Sequence, residues 1–153
     1  MSRSPNNVLR EFLKDAGIFG KDSYDKFIPD IIFALSNEQI SMFLSRLYST
    51  DGWACIGSQN RVNLNTNKVY ANNVEIGYSS VSRRLCEDIQ SLLLRFGIVS
   101  NVNQTKSSWT HNGIKKTGVT SYVTISDSDS AIIFADKIGI YGKEDRVNKV
   151  KIE

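Results

Sequence analysis

An acidic residue, Asp51, directly precedes Gly52 at the predicted end of an amphipathic helix over residues 37–50. The apolar side chains of this helix recur at helical spacing and form one face: Ile40, Phe43, Leu44, Leu47 and Tyr48. Gly52 offers the conformational freedom that a helix C-terminus needs, but a carboxylate there faces the negative end of the helix dipole. Asp51 is therefore either a residue of a local turn or the ligand of a cation, because a divalent metal ion outweighs the dipole.

Other reactive residue types are scarce. The two cysteines, Cys55 and Cys86, do not form a metal-spaced pair, and His111 is the only histidine. A zinc site and a histidine-dependent nucleophilic triad are therefore not expected. The 153 residues suit one domain, and a net charge of +3 permits nucleic-acid binding without requiring it. We find no signal peptide and no membrane-spanning run, so we expect a soluble cytoplasmic protein with no membrane partner and no small-molecule substrate.

Seven elements are predicted in the order helix, two strands, helix, two strands, helix, which is an α+β pattern. They cover residues 37–50, 53–61, 74–80, 82–96, 98–106, 119–126 and 129–138. Residues 62–73 are rich in Asn and lack periodicity, which favours an extended hairpin loop. Lys115, Lys116 and Gly118 are assigned to a polar turn between the last two strands. A short helix over residues 6–16 precedes the seven elements.

A short segment near the start is echoed near the end. Residues 16–22 (Ala-Gly-Ile-Phe-Gly-Lys-Asp) recur as residues 138–144 (Ile-Gly-Ile-Tyr-Gly-Lys-Glu), each time directly after a short amphipathic helix. Repeats of this kind reveal structural units. We interpret residues 1–29 as the tail of a preceding repeat and residues 30–153 as the main domain.

Residues 44–52 (Leu-Ser-Arg-Leu-Tyr-Ser-Thr-Asp-Gly) resemble the LAGLIDADG motif of homing endonucleases. Residues 17–21 and 26–29 resemble the connector before the second motif of two-repeat members, and residues 78–85 and 92–98 resemble the family's later strand-to-helix segment. These anchors occur in order over nearly the whole chain. The likeness is greatest to endonuclease domains embedded in inteins of bacterial replicative DNA helicases.

The resemblance implies an αββαββα fold in which a curved antiparallel four-stranded sheet forms a DNA-binding saddle with the helices on its other face. It also implies a site-specific endonuclease that hydrolyses phosphodiesters of double-stranded DNA with Mg²⁺. Two motif helices then pack side by side, through Phe43, Leu44, Leu47 and Tyr48 in this chain. The partner is a second copy, forming a homodimer, or a missing N-terminal repeat.

The resemblance assigns the chemistry to few residues. Asp51 becomes a metal ligand paired with a carboxylate outside this chain, and the Gly52 carbonyl assists. Lys143 matches the family's lysine near the attacking water, where an ammonium stabilises developing negative charge; a solvated surface lysine is the alternative. Gln59 and Arg61 are candidates for ordering water or contacting phosphate.

The strands would supply DNA recognition by presenting every second side chain to the bases. Ile98, Val102, Val123 and Ile125 are apolar and should face the helices. The outward residues of the third and fourth strands are then Asn101, Asn103, Thr105, Thr120, Tyr122 and Thr124. Gly57, Gln59 and Arg61 share one face of the first strand. Three lysines are expected on phosphates: Lys106, Lys115 and Lys116.

Three departures from the family pattern affect this interpretation. Arg46 replaces a frequent glycine, which suggests a looser helix contact or an arginine that points away. Val81 lies near a position that is polar in some relatives. Neither a splice nucleophile at Met1 nor a terminal His-Asn pair is present, so the chain is not expected to splice by itself. A catalytically inactive DNA-binding domain and an RNA-splicing maturase stay open as alternatives.

Overall fold

The computed structural model of the chain describes residues 7–56, 61–63, 68–70 and 74–149, with side chains for all of these except 56, 61–63, 68–70, 109 and 111. The helices in this part are α1 (Val8–Asp15), α2 (Asp30–Phe33), α3 (Asn37–Asp51), α4 (Arg83–Leu94), α5 (Ser128–Lys137) and α6 (Glu144–Asn148). The strands are β1 (Gly52–Ile56), β2 (Arg61–Asn63), β3 (Lys68–Tyr70), β4 (Val74–Ser80), β5 (Asn101–His111) and β6 (Ile114–Ile125).

The predicted succession of seven elements is confirmed as α3, β1, β4, α4, β5, β6 and α5. Local capping explains where the helices start. The Ser36 hydroxyl accepts from the backbone of Gln39, whose side chain accepts from the backbone of Ser36, so α3 begins with a complete capping box. Ser82 caps α4 by accepting from the backbone N–H of Leu85.

Four strands form one antiparallel sheet in the order β1-β4-β6-β5. β4 thus lies between β1 and β6, and β5 is at the far edge. The α+β class and the four-stranded antiparallel sheet agree with the expectation from the sequence. One face of the sheet packs on α3, α4 and α5 in a single core.

Several predicted boundaries were wrong. Residues 62–73, predicted as loop, contribute a small separate hairpin of β2 and β3. The turn between β5 and β6 is formed by Asn112 and Gly113, both with positive φ, of 51° and 75°. Lys115, Lys116 and Gly118 therefore lie within β6, because the left-handed turn comes earlier than the run of lysines suggested. The short helices α2 and α6 were not predicted.

Tyr48 is the residue through which α3, the helix that carries the motif, packs on the rest of the core. Its ring is fully buried and lies 5.6 Å from the ring of Tyr78 in β4 and 4.9 Å from that of Phe134 in α5, measured between centroids. Tilted ring pairs at these distances add to the burial of apolar area, which contributes about 1.5–3 kcal/mol for each large side chain. Three elements far apart in sequence are thus joined at one point.

The segment before α3 is fastened to α4. Asp88 accepts from the backbone N–H of Ile28 at 2.8 Å, and the Ser82 hydroxyl donates to the Lys26 carbonyl at 2.6 Å. The guanidinium carbon of Arg84 lies 4.4 Å from the ring centroid of Phe27. By contrast, α1 buries none of its residues. Residues 26–28 therefore anchor an N-terminal arm whose helix stays exposed.

Candidate active site and nucleic-acid interface

The motif helix ends at Asp51, and Gly52 begins β1 without a turn. Gly52 has a φ of −85° and a ψ of 153°, so its backbone is extended and accessible to any residue. The expectation that Gly52 serves as a conformationally free helix cap is therefore wrong. The glycine is required by space: an added Cβ would lie 2.4 Å from the carbonyl oxygen of Tyr48 and 2.8 Å from its Cα. Only a residue without a Cβ lets the strand leave the helix so closely.

Lys143 reaches this junction although 91 residues separate it from Gly52. The Lys143 ammonium donates to the Gly52 carbonyl oxygen at 2.6 Å. Asp51 is exposed, while Lys143 is half-buried. A hydrogen bond to an ammonium is stronger than one between neutral groups. The protein thus presents one free carboxylate beside one fixed ammonium, at the end of the motif helix.

The charge of Asp51 affects the pKa of Tyr78 in β4. Burial raises the pKa of the Tyr78 phenol, a hydrogen bond with Thr50 opposes the shift, and the Asp51 carboxylate adds to it. Tyr78 therefore stays protonated beside the carboxylate. Its ring closes the inner side of the junction, where it is 4 % exposed.

A groove of about 460 Å³ runs between the N-terminal arm and α3. Phe43 and Leu47 line it from α3, Ile18 and Lys21 line it from the arm, and Asp51 lies at its end. Phe43 and Leu47 are partly buried. These two predicted interface residues therefore present apolar surface beside the candidate site.

The other two residues predicted at a helix–helix interface are placed elsewhere. Leu44 and Tyr48 have no exposed surface and belong to the core. Their assignment to an interface is corrected, because the buried face of α3 is turned toward the sheet. Sequence periodicity gave one apolar stripe, whereas the folded helix divides it between the core and the groove.

The sheet face opposite the helices carries the predicted polar row. Val123 and Ile125 are fully buried and Val102 packs on the core. The alternate residues pair directly across the two strands: Asn101 with Thr124, Asn103 with Tyr122, and Thr105 with Thr120. Directly opposed residues share a face, so the predicted alternation of these six residues is confirmed. Of the first-strand candidates, Gln59 lies outside the described residues and Arg61 is described in its backbone alone.

The two long strands continue beyond the sheet as a ribbon. β4 pairs with β6 only at residues 121–125, whereas β5 and β6 pair out to the turn. Lys116 lies opposite Trp109 and shares the polar face, while Lys106, opposite Val119, and Lys115 lie on the other face. The three lysines grouped in the sequence analysis therefore divide between two faces.

Residues of β1 and β4 on the same polar face were missed. The Trp53 indole N–H donates to a carboxylate oxygen of Glu75 at 3.0 Å, and its ring lies 6.2 Å from that of Tyr122 between centroids. The indole covers Gly77, where an added Cβ would lie 2.3 Å from the ring. Alternation around the buried residues Ile76 and Tyr78 was the signal that could have located Glu75 and Gly77.

The donor set at the junction suits a hard cation only in part. Among the described residues no group of three or more His, Cys, Asp or Glu side chains could hold a metal. Asp51 and the Gly52 carbonyl are oxygen donors, and Mg²⁺ takes few protein carboxylates together with waters and phosphate oxygens. These two oxygen donors alone do not complete such a site. None of the described helices has the length and apolar character of a membrane span.

A family model described as LAGLIDADG-like domain matches residues 38–139. A replicative DNA helicase DnaB of Rhodothermus marinus is 34% identical over 140 residues, 92% of this chain and 13% of that protein. A replicative DNA helicase DnaB of Synechocystis is 31% identical over the whole chain and 16% of the relative. Protein RecA of Mycobacterium tuberculosis is 27% identical over 89% of this chain and 17% of its own length. The chain thus spans less than a fifth of these relatives.

Proposed function

The chain belongs to the LAGLIDADG family, and on that premise we propose that it is a homing endonuclease domain of an intein that cuts double-stranded DNA at a specific site. The observation that carries this proposal is the junction of α3 and β1, where the Lys143 ammonium is 2.6 Å from the Gly52 carbonyl and Asp51 is exposed beside it. A carboxylate can hold a divalent metal ion that activates water, and an ammonium can stabilise the charge that develops during phosphodiester hydrolysis.

Each group has a distinct role in this proposal. Asp51 and the Gly52 carbonyl would hold Mg²⁺, which when bound supplies charge neutralisation at the phosphate. Lys143 stabilises the negative charge that develops as the attacking water loses its proton. Before DNA and metal arrive, the hydrogen bond to the Gly52 carbonyl keeps the ammonium at the end of α3.

The second carboxylate is supplied by another repeat or another copy of the chain. The groove beside Asp51, lined by Phe43 and Leu47, offers the apolar surface for a second motif helix. A symmetric homodimer and an N-terminal repeat are the two ways to fill it. The mass of the particle in solution, with and without duplex DNA, distinguishes them.

The similarity between residues 16–22 and 138–144 supports an N-terminal repeat as the source of the second carboxylate. Gly17 and Gly20 have φ values of 73° and 77°, and Gly139 and Gly142 have 66° and 75°. The backbone N–H of Lys21 donates to the Ile18 carbonyl at 3.3 Å, as that of Lys143 donates to the Ile140 carbonyl at 3.0 Å. The two segments thus share one loop conformation. On this basis residues 1–29 are the end of a preceding repeat, and Lys21 is its counterpart of Lys143.

The polar sheet face is assigned to the major groove. Asn101 and Asn103 suit adenine edges, and a bidentate pair of this kind contributes about 1–3 kcal/mol of discrimination. Thr105, Thr120 and Thr124 complete the row. The Tyr122 side chain lies at its centre. Lys116 extends this face along the ribbon, and a two-stranded ribbon has the width that the major groove admits.

The test is a cleavage assay on duplex DNA carrying the target site, with binding measured in parallel. Asp51→Asn keeps the side-chain size and removes the charge, so it should abolish Mg²⁺-dependent cleavage and leave binding intact. Asp22→Asn, an exposed carboxylate that accepts from the backbone of Tyr24, is the matched control and should cut normally. Ca²⁺ should support binding without cleavage.

Three results would change the assignment. Undiminished cleavage by the Asp51→Asn protein removes Asp51 from the site. Binding to the target by a parent protein that never cuts, alone or with a supplied second repeat, identifies a catalytically silent DNA-binding domain. Preferential, salt-dependent binding to structured intron RNA would favour a maturase.

A further inference from the structure

Arg46 in α3 points toward the loop after α5. Its guanidinium carbon lies 3.3 Å from the ring centroid of Tyr141. Arg46 is exposed, and Tyr141 is 56 % exposed. The arginine thus turns to the loop after α5, and it does not line the groove beside Phe43 and Leu47. Its direction brings it to the segment that carries Lys143.

The Lys143 loop, residues 138–143, is tied to α3 at successive positions. Ile140 anchors it in the core with 1 % exposure, and the backbone N–H of Tyr141 donates to the Ser45 carbonyl at 3.3 Å. The Lys143 ammonium reaches the Gly52 carbonyl at the end of the same helix. Between these two contacts, the described residues include one stacked side-chain pair that joins α3 to the loop, Arg46 on Tyr141.

The charge of Arg46 also suits the far end of the loop. Glu144 accepts from the backbone N–H of Gly142 at 2.8 Å. That bond is the main cause that lowers the pKa of Glu144, and the nearby Arg46 guanidinium adds to it. A guanidinium is planar and permanently charged, so it can stack on a ring and still face a carboxylate. A lysine has no planar group with which to stack.

We propose that Arg46 is a positioning residue, which by stacking on Tyr141 holds the Lys143 loop on α3 and keeps the Lys143 ammonium at the Gly52 carbonyl. The importance of this for cleavage rests on the proposed function, whereas the positioning itself does not require DNA. Without the stack, the loop is still held at its start by the Ser41 hydroxyl on the Lys137 carbonyl and by the buried Ile140, but Tyr141 keeps only its long backbone hydrogen bond to Ser45. The ammonium would then leave its carbonyl more often and spend more time in water.

The positioning is tested by the rate at which each lysine is methylated by formaldehyde and a borohydride reductant, measured by peptide mass spectrometry. In the parent protein Lys143 should react several-fold more slowly than the exposed Lys137. Arg46→Met should remove at least half of this difference, since losing a cation–π contact between exposed groups corresponds to about a 2- to 5-fold change. Arg83→Met, which removes an exposed arginine paired with Glu87, is the matched control and should change nothing at Lys143.

Variants of the ring separate stacking from general damage. Tyr141→Phe keeps the ring and should retain the slow reaction of Lys143, whereas Tyr141→Leu should behave like Arg46→Met. Unchanged protection of Lys143 in both Arg46→Met and Tyr141→Leu would overturn the proposal. So would equal protection in the Phe and Leu variants, because the ring would then have no part in it.

A double-mutant cycle links positioning to chemistry. Arg46→Met should slow single-turnover cleavage at saturating DNA by about 2- to 5-fold with unchanged DNA affinity. In a Lys143→Met background the same change should cost nothing further, because Arg46 acts through Lys143. Additive losses would overturn the proposed route. If labelling changes as expected but the parent protein does not cut, alone or with a supplied second repeat, the positioning stands and the proposed function fails.

Discussion

Replacing Tyr48 with phenylalanine should stabilise the fold. Tyr48 is fully buried, and its hydroxyl has no hydrogen-bond partner among the described residues. An unpaired buried donor costs about 1–3 kcal/mol, and phenylalanine keeps the ring contacts while removing that donor. We expect the free energy of unfolding to rise by about 1–2 kcal/mol. For a domain of this size, the melting temperature should rise by about 2–8 °C.

The effect should grow in alkaline solution. Burial is the main cause that raises the pKa of the Tyr48 phenol above its ordinary value. As pH rises past about 10, Tyr48 ionises in the unfolded chain but not in the folded one, so unfolding becomes easier. Tyr48→Phe removes this contribution. The gain in stability should therefore be larger at pH 10.5 than at pH 7, with both measured by urea denaturation.

Tyr78→Phe is the matched control, because its hydroxyl is hydrogen-bonded with Thr50. That variant should lose about 0.5–1.5 kcal/mol at pH 7. The reasoning is refuted if Tyr48→Phe is also less stable than the parent protein at pH 7. Such a loss would mean that the Tyr48 hydroxyl has a partner, for which the neighbouring Cys86 thiol is the candidate.

Three further outcomes are expected. Gly77→Ala should lose about 1–3 kcal/mol of stability in urea denaturation, because its Cβ would lie 2.3 Å from the Trp53 indole; in a Trp53→Ala background the added methyl should cost little. Lys116→Ala should weaken binding to all duplexes and reduce the salt slope by about one. Lys115→Ala, on the other face of the ribbon, should change the slope less, and equal slopes would contradict the face assignment. Burial raises the pKa of Cys86 to about 11, so the thiol resists alkylation at pH 8 and its contribution to stability falls as pH rises from about 9 toward 11; rapid alkylation of the native protein would contradict this.

Patterns over short stretches determined most of the elements. The apolar stripe of α3 and the Ser36 cap are local, since helical hydrogen bonds join residues four apart. The alternation of β5 and β6 is equally local, so Asn103 and Tyr122 could be assigned to a face before the strand order was known. The position of the turn between β5 and β6 was predicted less well, because the polar run after Asn112 and Gly113 suggested a later turn.

Resemblance in sequence, rather than pattern, pointed to Asp51 and Lys143 as one site. The two lie on segments far apart in the chain, and no periodicity predicts that an ammonium after α5 reaches the carbonyl of Gly52. That contact depends on α3 and α5 packing around Tyr48 and Phe134, with ring centroids 4.9 Å apart. Packing of this kind involves the shapes of both surfaces, which one segment does not specify.

The chain by itself determined which side chains alternate, where helices are capped and which acid ends the motif helix. Only the tertiary structure decided how the apolar stripe divides, with Leu44 in the core and Phe43 in the groove. It also decided that Gly52 is needed for space and that Arg46 turns to Tyr141. Local hydrogen bonds and periodicity are fixed by neighbours in sequence, whereas burial and side-chain direction depend on which distant element occupies the adjacent volume.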